Sequence, residues 1–204
     1  WQDVMSLPRK LSLGSKSHLK ITPVEETHSL RLSKKELSGI TVNPNQEILL
    51  NDIGGKSIEI EAKINLATSR EAGFYVLQSK DGTEKTKISL LRTSNTPYKW
   101  SEKDSLQIDV SEASTDQNMY ARTPEIGPVK LINDTILNLR IFIDQSIIEV
   151  FANNEQCLTL RSYPTQKDSR YISFFAKGGV AEILNMKVWQ MKSIWPELKF
   201  KENK

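Results

Sequence analysis

Residues 137–164, LNLRIFIDQSIIEVFANNEQCLTLRSYP, constrain this chain more than any other stretch. Leu137, Leu139, Ile141 and Ile143 alternate with Asn138, Arg140, Phe142 and Asp144, the period-2 pattern of a strand with one buried face. Asp144-Gln145-Ser146 interrupts the alternation with turn-forming residues, and residues 147–152 resume as a second strand. With Gln145-Ser146 as a two-residue hairpin loop, Asp144 lies opposite Ile147, Phe142 opposite Glu149 and Arg140 opposite Phe151. The other face then collects Leu139, Ile141, Ile143, Ile148, Val150 and Ala152. A register slipped by one residue would mix the two faces. A three-residue loop at Asn153-Asn154-Glu155 adds Leu158 and Leu160 to the apolar side, whereas a two-residue loop would put Thr159 and Arg161 there. The stretch predicts a three-stranded antiparallel meander with one apolar face, and that face needs a second sheet to cover it.

The remaining sequence can supply that sheet. Residues 57–66 alternate Ile58, Ile60, Ala62, Ile64 and Leu66 with Glu59, Glu61, Lys63 and Asn65, the cleanest one-sided strand in the chain. Short strands are also predicted over 5–13, 18–24, 73–79, 87–91, 106–110, 118–122, 171–176 and 181–194, with turns at Lys80-Asp81-Gly82 and Gly178-Gly179. Pro8 argues for an edge position. Only residues 25–37 read as helix: Glu25 and Glu26 near the start and Lys34 and Lys35 near the end suit the helix dipole, and Ser38-Gly39 stop it. Closely spaced strands without a fixed repeat predict an all-β sandwich or barrel.

At 204 residues the chain amounts to one domain, or one domain with an appended piece. Its 28 basic and 25 acidic residues leave a net charge of +3, which supplies no electrostatic reason for a nucleic-acid or membrane partner. A single cysteine, Cys157, excludes a disulfide framework and a cysteine-rich metal site. No apolar run reaches membrane-spanning length. No signal peptide precedes Trp1, and an opening on Trp-Gln-Asp-Val without Met reads as cut from something larger. Asn133-Asp134-Thr135 fits an N-glycosylation acceptor, a tripeptide that is common by chance.

Three stretches together resemble the C-terminal part of glycoside hydrolase family 32, the β-fructosidases (invertases, levanases and inulinases). Residues 1–13 (WQDVMSLPRKLSL) with 23–31 (PVEETHSLR) resemble the end of the family's catalytic propeller and the linker after it. The meander resembles the family's signature in its C-terminal sandwich, and residues 171–196 (YISFFAKGGVAEILNMKVWQMKSIWP) resemble the closing strands. The resemblance implies an all-β fold, a two-sheet antiparallel β-sandwich of jelly-roll or lectin/concanavalin-like type, preceded by a strand-and-linker remnant of a β-propeller. It implies residues 1–45 as that remnant and 46–204 as the sandwich. The family's catalytic carboxylates sit in the propeller, in Asn-Asp-Pro, Arg-Asp-Pro and Glu-Cys motifs. None occurs here: Asn51-Asp52 is followed by Ile53, Asn133-Asp134 by Thr135, and Cys157 is preceded by Gln156. At Ala121, before Arg122, family members often carry an acidic residue or threonine, which puts the local role of Arg122 in doubt.

Several residues invite chemistry and each has a plainer explanation. In the deduced register Asp144 and Glu149 are diagonal neighbours about 7–8 Å apart, a spacing that overlaps that of glycosidase carboxylate pairs. Turn hydrogen bonds for Asp144 and an ion pair from Glu149 to Arg140 account for both, so no catalytic residue is assigned. Tyr98 and Trp100, with Glu102, form the best loop for stacking and hydrogen-bonding a sugar; the alternative is an aromatic tucked over a sheet edge. Phe142 and Phe151, with Arg140 and Glu149, are a second such group, read as core filling. Asp144, Ser146, Glu149, Phe151, Arg161, Tyr163 and Pro164, with Gly178, Gly179, Trp189 and Trp195, are read as the structural signature, and Trp1 as a packing residue. Neither His18 nor His28 has a carboxylate or cysteine cluster near it in sequence, so no metal is expected. No cofactor is expected either.

The expected function is a non-catalytic sandwich that supports an absent catalytic propeller and shapes its cleft rim, in an enzyme acting on fructans or sucrose. The alternative is an autonomous fructan-binding module. The expected partner is the chain's own propeller, with fructan or sucrose as a further one, and neither nucleic acid nor membrane insertion. The resemblance implies a secreted, periplasmic or cell-surface parent.

Overall fold

The computed structural model describes residues 4–14, 18–92, 104–120 and 122–194. Strands β1 (Arg9–Leu13) and β2 (Leu19–Pro23) form a hairpin, and a 3-10 turn (Glu25–Leu30) leads into β3 (Arg31–Val42). Next come β4 (Gln46–Gly54), β5 (Ser57–Asn65), β6 (Glu71–Gln78), β7 (Thr86–Leu91), β8 (Asp104–Asp109) and β9 (Glu125–Val129). The chain continues through β10 (Ile136–Asp144), β11 (Ile147–Ala152), β12 (Gln156–Arg161), β13 (Tyr171–Lys177) and β14 (Ala181–Met191).

The strands stack as two six-stranded antiparallel sheets, ordered β12-β11-β10-β5-β14-β3 and β4-β13-β6-β7-β8-β9. The meander takes the register that its alternation predicts: Asp144 pairs with Ile147, Phe142 with Glu149 and Arg140 with Phe151. Across the three-residue loop Val150 pairs with Leu158 and Ile148 with Leu160. Ile60, Ile64, Ile141, Ile148 and Val150 of the first sheet are fully buried. So are Phe74, Ile88, Leu106 and Phe174 of the second, where the Phe74 and Phe174 rings pack tilted at 46° with centroids 5.1 Å apart. Each such side chain contributes roughly 1.5–3 kcal/mol by leaving water. Ile141→Val removes one methylene from the middle of this layer and should lower the unfolding free energy by about 1 kcal/mol in urea titration.

Three local expectations give way to tertiary pairing. The helix over 25–37 shrinks to the turn Glu25–Leu30, and Arg31–Val42 is a strand. β14 needs a neighbour on its open side, and Leu37, Ile40 and Val42 pair there with Met186, Ile183 and Ala181. That pairing outweighs a charge pattern that suits a helix equally well. β3 is thus hydrogen-bonded into the first sheet beside β14. Residues 117–119 form a turn, with the Asp116 carboxylate accepting from the Asn118 N–H at 2.9 Å, where the sequence predicts the start of a strand over 118–122. The strand lies further on at β9, where Gly127-Pro128 disguised it; proline is tolerated because β9 is an edge.

Glu84, just before β7, gathers the loops at one end. Its carboxylate, fully buried, accepts from the N–H and hydroxyl of both Thr115 and Thr165, from the Gln166 N–H at 2.9 Å and from the Ser169 hydroxyl at 2.7 Å. Burial alone would raise its pKa. The donors overcome that, the Thr165 hydroxyl first, and pull it down to about 2.

Candidate functional site

Alternation gives the first sheet a second face, and the non-core residues of β5, β10, β11 and β14 collect on it. Glu59, Glu149, Phe142, Phe151 and Trp189 all lie there, yet all are buried. The N-terminal segment covers part of this face: Leu7, Arg9, Thr27 and Arg31 all reach it. Glu149 accepts from the Leu7 N–H at 2.5 Å and from Arg9 Nη2 at 3.0 Å. Arg9 Nη2 also donates to the Thr159 hydroxyl at 2.8 Å. The hairpin is tied to the sheet again where the Ile21 N–H meets the Asn154 carbonyl at 2.7 Å.

The centre of the face is an ionic knot. Glu59 receives Arg31 Nε at 2.8 Å and Nη2 at 2.7 Å, a two-pronged contact, and Arg140 Nε at 2.5 Å. Arg31 also reaches Glu61 at 2.5 Å, and its guanidinium lies 3.7 Å from the centroid of Trp189. The Glu59 hydrogen bond raises the Arg31 pKa despite burial. Arg140 Nη2 donates to the Thr27 hydroxyl at 3.2 Å, which fastens the 3-10 turn.

The expected ion pair between Glu149 and Arg140 is therefore not formed. Arg140 turns to Glu59 on its other neighbour, β5, and Glu149 is taken by Arg9, 140 residues away in sequence. Asp144 is exposed at a hairpin end while Glu149 is buried beneath Leu7 and Arg9, an arrangement unsuited to paired carboxylate chemistry. Phe142 and Phe151 pack edge-to-face at 6.1 Å. His28 does meet carboxylates that its sequence neighbours did not suggest: its ring and those of Glu59 and Glu61 offer ligand atoms within 4.8 Å of one another. Both Glu59 oxygens already accept guanidinium protons there. Burial, only partly offset by Arg9, pushes the Cys157 thiol up to about 11, so it sits as a small neutral residue.

Among the other signature residues, Ser146 accepts from Arg161 Nη2 at 3.3 Å, and the Arg161 guanidinium lies over Tyr163 at 4.9 Å, with Pro164 following. Gly178 adopts φ +66°, and a Cβ on Gly179 would come within 2.1 Å of the Thr68 carbonyl oxygen, so this turn requires glycine at both places. Tyr98, Trp100, Glu102, Trp1, Trp195 and Ala121 lie outside the described residues. A cleft of about 530 Å³ opens where β12 meets the segment leading into β9, lined by Tyr120, Arg122, Thr123, Glu125, Thr159, Leu160 and Arg161. The sequence did not mark it, because its two walls lie more than thirty residues apart.

Two six-stranded sheets with this lead bound across one face match a known architecture. The profile of the C-terminal part of family 32 glycosyl hydrolases matches residues 26–190. This chain belongs to glycosyl hydrolase family 32. It is a C-terminal β-sandwich domain of that family. It is 25% identical over 210 residues to the levanase of Bacillus subtilis (strain 168), covering 100% of this chain but 29% of the levanase. It is 27% identical over 232 residues to beta-fructofuranosidase 1 of Zea mays, covering 96% of this chain and 34% of that protein. The fold superposes on fructan 1-exohydrolase IIa of Cichorium intybus with a TM-score of 0.79 at 21% identity, covering 92% of this chain and 41% of the exohydrolase. The chain thus spans less than half the length of these relatives. No helix among the described residues is long and apolar enough to cross a membrane.

Proposed function

We propose that this family 32 sandwich is the non-catalytic support of a catalytic β-propeller that precedes it in a fructan- or sucrose-hydrolysing enzyme, and that it forms one rim of that enzyme's cleft. The observation that carries this reading is the β1–β2 hairpin. Its root is fastened to the sheet through Arg9 and Glu149, while Leu11 and Leu13 are 62% and 78% exposed and Leu19 across from them is 49% exposed. An apolar row held rigidly in water is a surface for a protein neighbour. The propeller end leads into this hairpin, and the linker closes on the 3-10 turn before Arg31. By the family's motif pattern, the reacting carboxylates belong to the preceding domain.

The test is reassociation with the separately produced upstream portion of the same parent. The chain alone should release no fructose from sucrose or levan, and should form a one-to-one complex with that portion. Leu11→Asp with Leu13→Asp should weaken the complex about tenfold or more without shifting Tm, since both leucines are exposed. Fructose release by the chain alone, or failure to associate, overturns the reading.

A further inference from the structure

The cleft beside β12 has the chemistry of a sugar site. We propose that it holds a segment of a neutral, hydroxyl-rich oligosaccharide, a fructan chain in the enzyme described above. The substrate class rests on that reading; the cleft's ability to hold a neutral glycan rests on its own residues. At about 530 Å³ it falls within the size range of small-molecule sites. Tyr120 stands 85% exposed on its wall and offers a ring face to the C–H side of a sugar. Arg122 and Glu125 face the same space, and neither has an ion-pair partner among the described residues. Thr123 adds a hydroxyl. Hydroxyl groups need donors and acceptors together, which this set supplies. A polyanion would meet Glu125, and a cation would meet two guanidiniums.

The opposite wall is already fixed. Thr159 is held by Arg9 at 2.8 Å, and Arg161 by Ser146 at 3.3 Å. A wall ordered before the ligand arrives avoids part of the entropic penalty of binding. The same Arg9 anchors the N-terminal lead on Glu149, so the cleft opens beside the path of the chain toward its preceding domain.

Affinity electrophoresis of the whole chain in gels containing levan, inulin, dextran or polygalacturonate tests the proposal. Retardation is expected in levan or inulin. Tyr120→Ala and Arg122→Ala should each weaken it about tenfold with Tm unchanged, and Tyr120→Phe should retain it. Lack of retardation in both fructans, equal retardation in polygalacturonate, or indifference to Tyr120→Ala overturns it, and equal retardation in dextran overturns the fructan assignment. Trp100→Ala alone abolishing retardation also overturns it, by moving the site to that loop. Reassociation with the upstream portion is read separately. A chain that binds fructan but fails to reassociate sinks the support reading and leaves the cleft standing, and the converse result does the reverse.

Discussion

Glu84→Ala should lower the unfolding free energy by about 4 kcal/mol at neutral pH, a loss at the far end of what single substitutions produce. Six donors from two separate loops converge on this carboxylate, and removing it leaves the buried Ser169 hydroxyl and five part-buried donors without their shared acceptor. The effect carries a pH signature. The folded carboxyl titrates near 2 against an ordinary 4.5, so its ionised form is favoured on folding by about 3 kcal/mol. A depressed acid contributes fully above its unfolded pKa and fades as pH falls toward the folded value. About 2 kcal/mol of the contribution should be gone by pH 3. Glu84→Gln keeps the shape but cannot ionise. Urea titrations should therefore show the gap between wild type and Glu84→Gln narrowing by about 2 kcal/mol from pH 7 to pH 3. A gap independent of pH would remove this account.

Glu59→Ala should lose about 3–5 kcal/mol, because it strands Arg31 and Arg140 under the N-terminal segment without their shared counter-charge. The same change should loosen the 3-10 turn, which Arg140 holds through Thr27. Trypsin should then cut at Lys20 and Arg31 far faster than in wild type. Replacing Glu59, Arg31 and Arg140 together with methionine should be much milder than Glu59→Ala alone, since the penalty comes from uncompensated charge and not from lost attraction. If the triple change proves the worse one, the knot is a net source of stability and the argument fails. Glu61, whose side chain is 37% exposed, should tolerate alanine with a loss below about 1 kcal/mol.

The legible parts of the fold were those where one face is wholly apolar. In β10, β11 and β12 alternation and turn length left one register, and the pairing of Phe142 with Glu149 follows from it. β3 was illegible because an edge strand exposes most of its length, so Lys34, Lys35 and Glu36 carry no period that separates strand from helix. β9 hid behind a proline that only an edge can accept. Sequence singled out Glu149, Arg140, Phe142 and Phe151 as sharing one face. It paired the charges wrongly because both true partners, Arg9 and Glu59, come from elsewhere in the chain. Glu84 had no local mark at all, since its donors belong to loops around residues 115 and 165.

The lead into the sandwich is pinned at separated points: Leu7 and Arg9 on Glu149, Ile21 on Asn154, Thr27 on Arg140 and Arg31 on Glu59. A single attachment leaves a swivel, and two leave an axle. Pins spread over a sheet leave neither, so the lead from Leu7 to Arg31 cannot turn as a unit on the sandwich, and torque on it is resisted by carboxylates locked in the wall.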